Sequence, residues 1–263
     1  MQYMITQEEY LKVALNAAKK AGITFKANFG KPRKVFLKNN DIRNSVTDVD
    51  LAIERQLRAA LQKAFPKTKI IGEELGSASV LKADWVWIID PIDGTNNFIS
   101  GIPLCCISIA LWHKGQPMVA VLYNPVTNQL FSASRGKGAF LNGKKITVTK
   151  VKDLCHSFGG LGWSLKTSEA VKMFSTMITK ARKVRALGTT ALQLAYVACG
   201  IYDYYVVNDM HIWDVAGGIL LIEEAGGKIT DWKGKCPALN VRRLIASNEA
   251  IHREILKLLA KIA

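Results

Sequence analysis

Two aspartates three residues apart, Asp90 and Asp93 in IIDPIDGTNNF, close an apolar run and are followed at once by Gly94 and Thr95. A carboxylate among apolar neighbours is costly unless something offsets its desolvation. Other acids stand in comparable places. Asp50 lies in VTDVD at the opening of a helical pattern, Glu73 and Glu74 follow KIIG, and Asp214 lies in HIWDVAGG where another helix begins. Strand C-termini and helix N-termini are where α/β proteins place ligands.

Each acid has a local explanation. Thr47-x-x-Asp50 is a capping box, Glu73 and Glu74 solvate a loop, and Asp214 favours a helix dipole from its first turn. Asp93-Gly94-Thr95 is a turn followed by a cap. As a group they read differently. Carboxylates gathered on one cleft raise one another's pKa unless cations neutralise them, and an all-oxygen ligand set suits a hard ion such as Mg²⁺. The Gly94-Thr95 step, opening a short helix, turns backbone N–H groups toward an anion. On this reading Asp90 and Asp93 hold metal ions and the turn beyond them holds a phosphate.

Helices and strands must bring these residues together. The spacing predicts a helix near the start, with Thr6 as N-cap, Glu9 three residues on, and Leu11, Leu15 and Ala18 on one face. A second helix, VTDVDLAIERQLRAALQKAF, carries Leu51, Leu57, Ala60, Leu61 and Ala64 and stops at Pro66. TKIIGEE reads as a short strand and DWVWIID as a strand buried on both faces. From Leu104 to about Ile146, turn signals at Lys114-Gly115, Asn124-Pro125, Arg135-Gly136 and Asn142-Gly143 mark an antiparallel meander. Beyond about residue 150, helices (SEAVKMFSTMITKA, TTALQLAYVACG, WDVAGGILLIEEAGG, EAIHREILKLLAKI) alternate with strands (KVRAL, IYDYYVV, KITDW, LIASN). The expectation is one compact unit over 1–263, a mixed-sheet half to about 150 and an α/β half over 151–263.

Composition narrows the class. With 263 residues, 49% hydrophobic and 22% charged, the chain can bury a large core. No run reaches the ~18 apolar residues of a membrane span, and the first twenty residues lack the basic-then-apolar order of a signal peptide. Five cysteines (Cys105, Cys106, Cys155, Cys199, Cys236) form no C-x-x-C pair, which suits a reduced, cytoplasmic protein. The net charge is +15, and Tyr10 to Asn40 holds eight basic residues (Lys12, Lys19, Lys20, Lys26, Lys31, Arg33, Lys34, Lys38) without an acid. Such a stretch is a solvated face, a lure for anionic substrates or a contact for RNA. His113, His156 and His252 read as surface residues, and Trp85, Trp87 and Trp213 as packing.

The ordered set of motifs resembles the inositol monophosphatase family. DPIDGTNNF matches its D-P-[IL]-D-G-T-x-N-F, and WDVAGGILLIEEAGG its W-D-x-A-A-G-x-x-[IL]-[IL]-x-E-A-G-G, with Gly217 where alanine is usual. VTDVDLAIE, IIGEE, YVACGIYD and IASN fall in the family's order too, so the likeness spans the chain. It implies a layered αβαβα sandwich of the sugar-phosphatase type and Mg²⁺-dependent hydrolysis of a small anionic phosphate ester, foremost inositol monophosphate. It also implies a homodimer sensitive to Li⁺. Glu73, Asp90, the carbonyl of Ile92, Asp93 and Asp214 would ligate the metal. Thr95, oriented by Asp50, would with Glu73 activate the attacking water, and substrate contacts would fall on Ile92, Asp93, Gly94, Thr95, Gly188, Thr189, Thr190, His211 and Asp214.

One departure bears on substrate. Many members acting on inositol phosphates carry a glutamate seven residues before the aspartate of the W-D pair; here that position is Val207, beside Asn208 and Asp209. Fructose bisphosphate, histidinol phosphate, a nucleotide 3′-phosphate or NADP are the alternatives. SuhB-like relatives work in transcription, which the basic 10–40 stretch makes a further alternative role, by contact with transcription factors or RNA.

Overall fold

The computed structural model describes residues 5–32, 34–37, 45–76, 83–163 and 168–262. In chain order the first half runs α1 (Gln7–Asn28), β1 (Val35–Leu37), β2 (Ser45–Thr47), α2 (Asp48–Ala64), β3 (Lys69–Gly72), β4 (Trp85–Asp93), α3 (Thr95–Ile99), β5 (Cys106–His113), β6 (Gln116–Asn124), β7 (Gln129–Ser134), β8 (Gly138–Leu141) and β9 (Lys144–Ile146). The second half runs β10 (Phe158–Trp163), α4 (Ser168–Lys180), β11 (Lys183–Arg185), α5 (Thr190–Ala198), β12 (Tyr204–Asn208), α6 (Ile212–Glu224), β13 (Lys228–Thr230), β14 (Arg243–Ser247) and α7 (Glu249–Leu259).

Strands β3 to β9 lie side by side in chain order; β3 and β4 are parallel and the rest is the expected antiparallel meander. The turns follow their residues. Asn142 and Gly143 both take positive φ (50° and 79°), as the tightest hairpin turns require. The second sheet has the order β11-β10-β12-β14-β13, with β10 parallel to both neighbours and β14 antiparallel to β12 and β13.

Strand β4 alternates between two cores. Trp87 and Ile89 pack with α1 and α2, whereas Val86 and Ile88 pack with α5 and α6 on the opposite face. Tyr205 and Val207 of β12 close the second core from beyond, and Tyr204 and Val206 face a third, shared with α4 and α7. The layers are helix, sheet, helix, sheet, helix, the arrangement the resemblance implies.

The details depart from the sequence in places. Helix α1 has the Thr6–Glu9 capping box, but it buries Tyr10, Ala14, Ala17, Ala18, Ala21 and Phe25, while Leu11 and Leu15 are half-buried on its flanks. Small side chains let the helix lie close upon β5 and β6. Strand β10, FGGLGW, has no counterpart among the expected strands. Its glycines leave the room that the neighbouring tyrosines fill: a Cβ on Gly159 would stand 2.6 Å from the Tyr204 ring, and one on Gly160 2.8 Å from Tyr202. The short pair β1–β2 is likewise unanticipated.

Candidate active site

Asp50 opens α2 and is fully buried. Its carboxylate accepts from the Thr47 N–H (2.8 Å) and hydroxyl, while Thr47 Oγ1 accepts from the Asp50 N–H (3.3 Å). The capping box is real, yet the other carboxylate oxygen faces Thr95, whose hydroxyl lies 3.2 Å from it and 3.0 Å from the Ile92 carbonyl. One hydroxyl has one proton, so Thr95 donates to one of the two at a time. Burial, and in lesser part the charge of Glu73, raises Asp50 to about 6 against its hydrogen bonds to Thr47 and Thr95.

Asp90, in β4, is 1% exposed. Its carboxyl is pushed well above the usual range, first by burial, then by the charges of Glu73, Asp93 and Asp214, and by a hydrogen bond to Glu73. Four acids drawn from β4, the turn after β3 and the first turn of α6 therefore act on one another, as the sequence suggests.

Asp93 ends the strand and performs a task its neighbourhood in sequence does not reveal. Its carboxylate accepts from the Thr189 hydroxyl and from the N–H groups of Thr190 (3.0 Å), Ala191 (3.0 Å) and Leu192 (3.4 Å), so it caps α5 from another layer. Burial lifts it to about 6 while those donors pull it down. Gly94 follows with φ 87°, and a Cβ there would meet the Leu104 carbonyl at 2.9 Å and Thr189 at 3.3 Å. Only glycine fits. Thr95 begins α3, whose Asn97 amide donates to the carbonyls of Leu104 (2.7 Å) and Leu187 (2.6 Å), tying this turn to the chain before α5.

Asp93 opens on a cleft of about 610 Å³. Glu73, Asp93, Gly188, Thr189, Thr190, His211 and Asp214 line it; Asp50, Asp90, Ile92, Gly94 and Thr95 are not among its lining residues. Thr189 spends its hydroxyl on Asp93. Asp214 accepts from the His211 N–H (2.7 Å), the cap of α6. Among the described residues no three acid, histidine or cysteine side chains are already drawn together as a metal cage. The donor set nonetheless fits a hard divalent ion: it is all oxygen and acidic, and around the buried Asp90 burial and then the charges of Glu73, Asp93 and Asp214 raise that carboxyl.

The sequence pattern of the inositol monophosphatase family matches residues 6–263. The chain belongs to that family. It is 38% identical over 251 residues to inositol monophosphatase 2 of Solanum lycopersicum, covering 92% of this chain and 94% of that one. It is 37% identical over 254 residues to Nus factor SuhB of Pseudomonas aeruginosa, 94% of each. Its fold matches the Thermotoga maritima IMPase with a TM-score of 0.89 at 32% identity, over 97% of this chain and 98% of that one. This inositol monophosphatase family member is thus a phosphoric monoester hydrolase with the αβαβα fold.

Other expectations need correction. His252 is not on the surface: it is 2% exposed, with its ring nitrogens 2.9 Å from the Thr230 hydroxyl and 2.8 Å from that of Ser247. Trp213 is half-exposed in the cleft wall, stacked on His211 with ring centres 4.6 Å apart. His113 stacks on Trp85 (4.0 Å). Of the basic stretch, Lys12, Lys19, Lys20, Lys26, Lys31 and Lys34 are exposed, while Arg33 and Lys38 lie outside the described residues. Val207 is buried and does not line the cleft.

Glu54 escaped the sequence reading of roles. It is fully buried one turn after Asp50, pairs with Arg58 (2.8 Å), and accepts from the N–H groups of Glu74 (2.8 Å) and Leu75 (3.1 Å). It thereby holds the turn that carries Glu73. An acid on the apolar face of an amphipathic helix was the available signal. Asp209 and Arg242 were missed as partners because they are 33 residues apart.

Proposed function

We propose that this enzyme hydrolyses a small phosphate monoester, foremost inositol monophosphate, in a Mg²⁺-dependent reaction. The observation that carries this reading is the carboxyl of Asp90, buried among three other acids that push its pKa upward. Glu73, Asp90, the Ile92 carbonyl, Asp93 and Asp214 would hold the metal. A bound divalent ion lowers the pKa of water and offsets charge on the departing oxygen.

The chain's own residues do the remaining work. The Thr95 hydroxyl keeps its proton on the Asp50 or Ile92 side, so its lone pair is available to orient a water. Glu73, at the cleft wall, accepts that water's proton. The first-turn N–H groups of α3, presented by the Gly94 turn, hold phosphate oxygens. Thr190 and His211 lie on the alcohol side. Phosphoryl transfer depends chiefly on such positioning and charge neutralisation.

Asp90→Asn tests the reading. It keeps the side chain's shape and should lower kcat/KM by about a hundredfold or more for a metal-dependent reaction. Full activity in that variant would end the proposal. A panel of inositol 1-phosphate, fructose bisphosphate, histidinol phosphate, a nucleotide 3′-phosphate and NADP, read by released phosphate, ranks the substrates.

A second role is favoured by one observation, the likeness to a protein named Nus factor SuhB, together with the exposed lysines of α1 and beyond. Binding to transcription factors or RNA would be retained at physiological salt; binding lost there is only nonspecific charge attraction.

A further inference from the structure

Between β13 and the start of β14 the chain reads WKGKCPALNVRR, with four cations and no acid. Asp231 stands just before it, and its carboxylate is committed within the loop. The Oδ1 atom accepts from the N–H groups of Lys233 and Lys235, each at 2.8 Å, and the Asp231 N–H donates to the Lys235 carbonyl (2.9 Å). Gly234 closes this turn with φ 79°. The backbones of both lysines are thus fixed. Both residues are exposed, with no ion pair to an acid among the described residues.

Lys233, Lys235, Arg242 and Arg243 line one hollow of about 360 Å³, with Asp231 as the acid among its described lining residues. Arg243 donates to Glu169 (2.6 Å) and lies over the Trp232 ring, 5.4 Å from its centre. Arg242 donates to Asp209. A guanidinium carries more N–H donors than one carboxylate takes up. The hollow and the cleft share no described lining residue, and Arg242 links them through its bond to Asp209 at the cleft wall. Their charges are opposite: Glu73, Asp93, Asp209 and Asp214 line the cleft, with no lysine or arginine among its described residues.

We propose that this hollow is a second binding site, separate from the cleft, and that its ligand is a small polyphosphate, either free pyrophosphate or the phosphate chain of a nucleotide. Lysine and arginine side chains only donate, so the ligand must bring acceptors. Four cations against one acid call for several negative charges on it. Phosphate oxygens meet both conditions, forming short charge-assisted hydrogen bonds that suit the arginine fork. A concave space of this volume takes a small molecule, whereas a nucleic-acid backbone tracks along an open groove. Trp232 is 2% exposed and lies under Arg243, so it offers no ring face to a base and the phosphates carry the recognition.

Calorimetric titration of the full chain with pyrophosphate and with ADP tests the site. The protein is first dialysed free of divalent metal and chelator, so that the acidic cleft repels both probes. Each should bind once per chain, and tighter binding of ADP would mark the nucleotide as the source, equal binding the free polyphosphate. Affinity should fall about tenfold or more in K233Q/K235Q. It should hold in K12Q/K19Q, which removes the same charge from exposed positions of α1. An unchanged thermal midpoint verifies the fold of each variant. A wild type that binds neither probe overturns the proposal. So does binding untouched in K233Q/K235Q, which puts the anion elsewhere, or weakened equally in both double variants, which reduces it to net-charge attraction.

Discussion

His252 shows how a single side chain can run against its sequence neighbourhood. HREILK reads as a charged surface, yet the α7 stripe of Ile251, Ile255 and Leu259 turns His252 inward as well. The hydroxyls of Thr230 and Ser247 also lie 2.8 Å and 2.9 Å from the carbonyls of Asp231 and Asn248, so each must choose between its carbonyl and the ring. Burial, then the charge of Lys228, lowers the ring to about 4. Above the unfolded value near 6.5 both states are neutral and nothing is gained or lost. As pH falls from there toward 4 the unfolded chain takes the proton first, and stability drops by at most about 1.4 kcal/mol per unit. The buried carboxyls raised to about 6 have the opposite sign, gaining stability over part of that fall. Urea unfolding of wild type and His252→Gln at pH 5, 6 and 7 isolates the histidine: the difference in stability between them should narrow toward pH 5. A constant difference would mean that burial leaves the ring's pKa as it is in the unfolded chain.

Among the elements, α2 does two things through two acids one turn apart. Asp50 caps it and reaches Thr95; Glu54 pins the turn after β3. Glu54→Gln keeps the size but weakens a charged acceptor shared by Arg58 and two backbone N–H groups. The expected loss is about 2 kcal/mol in denaturant unfolding, accompanied by a lower kcat because the segment carrying Glu73 loses its anchor. Lost stability with full kcat would show that the Glu73 turn holds itself. Strand β10 makes the converse point. Glycine is poor in strands taken alone, and FGGLGW becomes one because Tyr202, Tyr204 and Tyr205 occupy the space beside it.

For the whole molecule, the acids come from α2, β3's turn, β4 and α6, and the first sheet is tied to the middle helix layer where Asp93 caps α5. An ion bound among them would add a further link between layers already joined by apolar packing and by hydrogen bonds such as those of Asp93 to α5 and Glu224 to Gly136. Mg²⁺ should therefore raise the thermal midpoint, with about 2.7 kcal/mol of stabilisation at a hundred times the dissociation constant, and Asp90→Asn should abolish the shift. A midpoint indifferent to Mg²⁺ would argue against a divalent site independently of any activity measurement.

The continuous apolar run of β4, the hairpin turns, the helix caps at Thr6 and Thr47 and the D-P-I-D-G-T run were legible because they depend on nearest neighbours, periodicity and φ restrictions. Those same local rules could not say that Asp93 would spend its carboxylate on α5, that Glu54 would hold the Glu73 turn, or that His252 would be interior. Each of these depends on partners between 20 and 99 residues away, and only packing of the layers decides which distant donor arrives beside which acceptor.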